Sequence, residues 1–474
     1  MSLFLFSLAC FSACLSVVGN LVNVSVPDPY MDEIFHIPQA QQYCLGNFTA
    51  WDSKITTLPG LYLISVGIIS PLNSLAASLT REPPDINSCS TQNLRSLNVL
   101  FGLINLSLVY CITAQLHGEK QGYSSNLAIL NSLNLSLLPV LYMFNFLYYT
   151  DAVSTTMVLL TYSLHLAGTR NLSSLAGLCS VLCRQTNIVW VFLVAALAAG
   201  QTITPEVKHH LAKTKHPPTI PLTSWGQIIE LCQGTWALSR KPWRFARLLG
   251  LLIVDCIGYI LVGIGFLIFV KLNEGIVVGD RSAHTAVLHV PQVLYFATFF
   301  TGLSFAFTVP HLGDFMVFVK RNKKNVLLLG ILLAVVIRFT TMAHPYLLAD
   351  NRHLTFYLWR RVFMKHWLIK YLCIPLYIFS LWSVARCLAK SDLMLKIVFP
   401  VCVFACLVPQ QLLEFRYFIV PFLITRLQVK PSSVIKLTLE FLALVLINSA
   451  VFYLFLYKPF TWENNPGEMQ RFMW

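Results

Sequence analysis

Two adjacent carboxylates, Asp32 and Glu33, stand in the run Tyr30-Met31-Asp32-Glu33-Ile34-Phe35-His36, flanked by apolar side chains rather than by the glycines and serines of a solvated loop. A carboxylate so placed can accept the proton of a hydroxyl as that hydroxyl attacks. On a short helix lying along a membrane the two would point about 100° apart, so one of them faces a given substrate. The complementary charges come far along the chain. Asp350-Asn351-Arg352-His353 is a polar run able to bind phosphate or sugar hydroxyls, and the guanidinium fork of Arg352 suits phosphate. Arg416, between Glu414 and Tyr417, is a further candidate cation for the same anion. A carboxylate that takes a proton, with fixed cations that stabilise a departing phosphate, makes up the equipment for sugar transfer from a lipid-linked phosphate. Other candidates for holding substrate are His36, Trp51 and Asp52 near the carboxylates, Asp151 after the aromatic stretch Phe144 to Tyr149, Arg184 and Gln185 in a polar patch, and the turn-like Asp280-Arg281.

These residues need elements to hold them, and the composition says which. Of 474 residues 56% are hydrophobic and 11% charged, against about 25% charged in soluble domains. The chain is expected to be an all-α, polytopic membrane protein forming one unit over 1–474, with room for about 12–14 transmembrane helices at roughly 20 residues each. Residues 1–24 read as a retained first helix, because no basic n-region and no small-residue cleavage site accompany them.

The net charge of +14 is mostly an orientation signal. Basic residues cluster in 203–247, in 320–324, around Arg386 to Lys396, around Arg426 to Lys436, and at Arg81 with Arg95, and the positive-inside rule sends all five groups to the cytosol. Nucleic acid is thereby excluded as a partner. The opposite face receives 25–60, 118–126 or 169–172, 272–290, 346–366 and the tail from about 458. Between Lys396 and Arg426 there is too little chain for two full crossings, so a short or re-entrant pair is expected there, with Glu414 and Arg416 near its turn. Asp151, Arg184, Asp255 and Arg338 fall inside apolar runs, where ionisable groups are costly and mark function by default. Arg360, Arg361 and Lys365 sit on the face where positive charge is normally depleted; both an anionic ligand and plain headgroup anchoring beside Phe356, Tyr357 and Trp359 account for them.

No nucleotide-binding loop, zinc-protease motif or nucleophile elbow occurs. The thirteen cysteines follow no metal spacing, and no structural disulfide is expected, since Cys44 would need a partner such as Cys89 on its own face. Neither a metal nor a cofactor is expected, the two acidic neighbours being too few oxygen donors for a divalent cation. Asn47-Phe48-Thr49 is a glycosylation sequon. A lipid-sugar flippase or a non-catalytic membrane subunit stands as the competing reading, because intramembrane charges also line transport paths.

Several long blocks then carry a resemblance: MDEIFHIPQAQQYC and NFTAWDSKITTLPGLY in Tyr30 to Tyr62, Phe144 to Asp151, Arg184 to Asn187, Gly275 to Ser282, Tyr346 to Trp359, Glu414 to Phe418 and Gln470 to Trp474. They resemble the dolichyl-phosphate-glucose-dependent α-1,2-glucosyltransferases of the endoplasmic reticulum, with Ser53 standing where proline is expected. The resemblance implies a GT-C fold, a multi-pass protein of the endoplasmic reticulum membrane and a luminal active site. It also implies dolichyl phosphate glucose as donor and the diglucosylated, nine-mannose dolichyl-diphosphate glycan as acceptor, among membrane lipids. A β-linked donor giving an α-glucoside means inversion, hence one base. That role falls to Asp32 with Glu33 as second choice, in a catalytic loop 25–60, while Arg352, His353 and then Arg416 hold the donor phosphate from a luminal loop 346–366.

Overall fold

The structure is a computed structural model that describes residues 2–80, 88–118, 125–213, 224–281, 285–430 and 432–474. Arg81, Lys215, Ser282 and His284, which belong to motifs above, lie outside the described residues. The chain is helical nearly throughout, as its composition demands, because a backbone in hydrocarbon must satisfy its own hydrogen bonds. A two-stranded hairpin near the end, Phe460–Trp462 paired antiparallel with Asn465–Gln470, is the one sheet among the described residues.

Long apolar helices are fewer than the sequence suggests. Among the described residues six are long and apolar enough to cross a bilayer: Leu3–Ser25, Gly60–Thr80, Thr91–His117, Gln185–His210, Pro242–Leu272 and Val434–Tyr457. The pair Pro291–Leu303 and Phe305–Arg321 makes a seventh only as a span bent by 85°. The all-α polytopic reading holds, and shorter helices stand beside these long ones. Apolar runs that look like single spans are broken in the fold by proline or by polar residues facing the interior, leaving pieces such as Thr150–Leu166, Arg170–Cys183 and Leu393–Leu407.

The contacts define two ends. Asp32, Tyr149, Arg184, Arg352 and Arg416 meet at one; Arg170 and Thr202 meet at the other, where the main basic clusters lie. Thr150–Leu166 runs from the first end to the second and Arg170–Cys183 returns, so 169–172 belongs to the basic end and 144–151 with 184–187 to the site end, a correction. Asp151 and Arg184 therefore stand at helix ends that open on the site rather than at mid-membrane.

A second correction concerns Arg95. It is 2% exposed and grips Glu33, while Cys89 forms a disulfide with Cys44, Cα to Cα 6.5 Å apart. Gly60 packs so tightly on the backbone of Leu182 and Cys183 that a Cβ would lie 2.4 Å from the Leu182 carbonyl carbon. Gly60 and Cys89 thus both stand at the site end. Counting Arg95 with Arg81 as a cytosolic pair misplaces it, and the same error hides the disulfide.

The expected short pair is present. Leu393–Leu407 ascends, residues 408–418 turn, and Ile419–Leu427 descends, with Glu414 and Arg416 in the turn. Fifteen residues rise only about 22 Å, less than the roughly 30 Å of a hydrocarbon core. The buried face of this pair, with Phe399, Phe418, Phe422 and Leu423, belongs to the principal apolar core of the molecule.

Candidate active site

The first loop enters its helix, Glu33–Cys44, through an unusual backbone. Met31 has φ 57°, the left-handed region that side chains other than glycine avoid at a cost of about 1–2 kcal/mol. This kink aims the Asp32 N–H at the hydroxyl of Tyr149, 2.9 Å away, and sends the two carboxylates in opposite directions.

Glu33 turns inward. It is fully buried, and its oxygens accept from Arg95 Nε (2.9 Å) and Nη2 (2.6 Å) and from the main-chain N–H groups of Tyr30 (3.0 Å) and Tyr148 (2.6 Å). Arg95 spends its remaining N–H groups on the carbonyls of Val26 and Asp28 and on Asn23. Two buried charges satisfied on every side tie the loop to the Thr91–His117 helix. Asp32 turns outward: its side chain is 43% exposed, and Oδ2 lies 3.3 Å from Arg416 Nη1.

Around Asp32 gather three more carboxylates, each with an arginine of its own. Asp151 is held by Arg184 at 2.9 Å, and Arg184 also reaches the Thr150 hydroxyl. Asp350 takes the fork of Arg352 at 2.8 and 2.7 Å. Glu414 takes that of Arg416, Nη2 at 3.0 Å and Nε closer still. Four carboxylates thus face three guanidiniums, and Asp32 has only a share of Arg416. Burial works against the charge of Glu414, yet Arg416 overcomes it and holds the carboxyl below its ordinary range. Asp350 is likewise held low against burial by its bonds to Arg352. Beside Asp151, Arg184 and Arg416 lies a small cleft of about 30 Å³, lined also by Asn187, Trp190 and Tyr417.

The C-terminal segment closes the site, a feature that sequence reasoning missed although Gln470 to Trp474 stood among the matching blocks. Met473 pairs with the loop through its N–H to the Arg352 carbonyl, 2.8 Å, and Arg352 Nη1 donates to Gln470 Oε1, 3.1 Å. His353 Nδ1 bonds the main-chain oxygen of Trp474, 2.8 Å. Asn351 accepts from the Trp462 indole at 2.8 Å, and that ring lies under Arg352 at 4.8 Å. Tyr30 and Tyr149 were missed as well, and so was the part of Asp350 as the partner of Arg352. The recurring acid-x-Arg spacing in Asp350-Asn351-Arg352 and Glu414-Phe415-Arg416 is the signal that finds Asp350.

The remaining sequence candidates brace the site. His36 donates to or accepts from Tyr62 at 2.6 Å and is buried, which pushes its pKa below 6.5. Gln185 donates to the Thr56 carbonyl at 2.9 Å. Asp52 receives Gln39 on its N–H, and Trp51 packs edge-on against Tyr62. Asp280 pairs with Lys54 at 3.0 Å, and Gly279, at φ 68°, lies where a Cβ would strike the carbonyls of Ser53 and Ile55. Arg281 folds back onto carbonyls of its own loop, including Glu274 and Val277. Asn47 is exposed, with Thr49 hydrogen-bonded to its side chain at 3.0 Å. Among the described residues no cluster of His, Cys, Asp and Glu has the makings of a metal site.

Residues 26–427, which carry Asp32, Arg352 and Arg416, match the model of the DIE2/ALG10 family. The chain belongs to that family. Three relatives are named Dol-P-Glc:Glc(2)Man(9)GlcNAc(2)-PP-Dol alpha-1,2-glucosyltransferase: the Mus musculus protein, 39% identical over 98% of both chains; the Homo sapiens protein, 38% over 98% of both; and the Drosophila melanogaster protein, 36% over 94% of both. No solved structure matches. The chain is accordingly a membrane-embedded glucosyltransferase.

Proposed function

We propose that the chain transfers glucose from dolichyl phosphate glucose to the diglucosylated, nine-mannose dolichyl-diphosphate glycan in α-1,2 linkage, with inversion and with Asp32 as the base, on a GT-C framework. The observation that carries the assignment is the inequality among the four carboxylates. Three are each matched to an arginine, whereas Asp32 shares one N–H of Arg416 and is the most exposed. As the acceptor hydroxyl attacks the anomeric carbon, Asp32 takes its proton, and the bond from that carbon to the phosphate oxygen breaks on the opposite side. The phosphate leaves as dolichyl phosphate. Arg352, His353 and Arg416 receive its charge through N–H groups that their existing bonds leave over, while Asp350 and Glu414 hold the two guanidiniums in place. Glu33, saturated by Arg95, is a positioning group and has no lone pair left for a substrate proton.

The active site faces the lumen of the endoplasmic reticulum in this reading. Basic clusters at the far end, which the positive-inside rule places in the cytosol, support it, as does a disulfide at the site end. Asn47 is then open to glycosylation. The test is glucose transfer by purified protein from the two lipid substrates, wild type beside Asp32→Asn. Activity in the wild type and its loss in a folded variant that still binds donor is the expected result; full turnover in Asp32→Asn would overturn the base, and a silent wild type the reaction.

A further inference from the structure

The stretch from Asn351 to Ser391 contains no Asp or Glu, yet it holds Arg360, Arg361, Lys365 and Lys370 within one turn-rich segment that follows the Arg352 loop. At this end of the molecule positive charge is ordinarily sparse. Arg352 and Arg416 are closed on carboxylates, whereas none of these four has an ion-pair partner among the described residues. Their only interactions of note are with aromatic faces: Arg360 over Phe356 at 5.5 Å, Arg361 over Tyr357 at 5.3 Å and Lys370 over Tyr371 at 5.5 Å. Apolar side chains alternate with them and stand clear of the protein, Met364 at 60% exposure and Trp367 at 66%. Cations interleaved with exposed apolar groups form a surface for an anionic headgroup whose tail stays in the bilayer.

Three other basic residues at this end are otherwise engaged. Lys54 is paired with Asp280, Arg281 with carbonyls, and Arg471 with the carbonyls of Ser25 and Phe455. The proposed reaction brings two phosphate-bearing lipids to one site, and the inner arginines serve the donor's single phosphate. The acceptor's diphosphate carries more charge and is anchored in the membrane by its own lipid, yet nothing in the inner site is reserved for it.

We infer that the segment 360–370 is the docking surface for the acceptor's lipid diphosphate, a second phosphate site distinct from that of the donor. It rests on the glucosyltransferase reading above. Holding the diphosphate beside the site makes delivery of the glycan's far end an intramolecular event and raises its effective concentration. Bulk membrane phospholipid has the same headgroup chemistry, so the test must separate the two sources.

The experiment compares wild type with the Arg360→Gln/Arg361→Gln/Lys365→Gln variant, full-length in nanodiscs, on two acceptors: the lipid diphosphate glycan and the same glycan released from its diphosphate. The wild type should prefer the lipid form, and the variant should raise KM for that form by at least about tenfold. KM for donor and turnover of the released glycan should be unchanged, which also shows that the variant is folded. Arg360→Lys/Arg361→Lys should restore most of the affinity. A variant that alters donor KM, or a wild type indifferent to the diphosphate, overturns the inference. So does a defect that follows the content of anionic phospholipid in the nanodisc regardless of acceptor. Failure of the parent reading looks different, as wild type would then transfer glucose to neither acceptor.

Discussion

Asp32 and Glu33 are joined by one peptide bond and meet opposite fates. Glu33 is fully buried, with both oxygens and every N–H of its partner Arg95 committed. Asp32 is 43% exposed and accepts a single N–H at 3.3 Å, from an arginine it shares with Glu414. The first arrangement fixes a loop and the second leaves a lone pair for chemistry. On the proposed reading, saturation more than residue type or burial separates a structural carboxylate from a reactive one. A group whose hydrogen bonds are all made has nothing to gain from a transition state.

Exchange of each acid for its amide breaks the comparison at its strongest point. Asp32→Asn should lower turnover by about 10²–10⁴-fold with donor affinity and folded yield kept, as initial rates and donor titration will show. Glu33→Gln leaves Arg95 buried without its counter-charge and should cost about 3–5 kcal/mol of stability. Thermal inactivation and detergent-extracted yield check it, and the folded remainder should keep near-normal kcat. A Glu33→Gln protein that is stable but inactive would reverse the two roles.

The disulfide supports the Glu33 side of the comparison. It closes 45 residues around the first loop, so Cys89→Ser should cost about 2–4 kcal/mol, read as a lower inactivation temperature. On the Asp32 side, Arg352→Lys keeps the charge but loses the fork and should raise donor KM roughly tenfold, with acceptor KM unmoved. The smallest effect is one of pH. His36 is held neutral by burial, so its pKa lies below 6.5 while the unfolded chain still titrates there. The unfolded state therefore takes up the proton first, stability is complete above that value, and it declines as pH falls through the interval beneath. His36→Gln should flatten that limb of a thermal-stability profile against pH.

Much of this was legible in the sequence for reasons the structure makes plain. Asp32, Arg352 and Arg416 are polar residues set in apolar surroundings, and a membrane protein rarely keeps such residues without use. The turn at Glu414 to Arg416 followed from chain length alone. What was hidden depends on pairing. Nothing local distinguishes Glu33 from Asp32, because the deciding partner is Arg95, sixty-two positions away. Arg95 itself was assigned to the wrong end because the positive-inside rule counts a basic residue without knowing that a buried carboxylate holds it. The packing of Gln470 to Trp474 on the Arg352 loop likewise comes from tertiary contacts that no periodicity announces.

The short pair Leu393–Leu407 and Ile419–Leu427 has a mechanical meaning. Leu393–Leu407, at about 22 Å, is shorter than the roughly 30 Å of a hydrocarbon core. Raising a polyisoprenoid chain out of the bilayer costs about 0.8 kcal/mol for each methylene exposed to water. On the reading proposed above, carrying Arg416 on the turn of so short a pair spares the substrate that lift, and a lipid donor can arrive by sliding sideways in the leaflet.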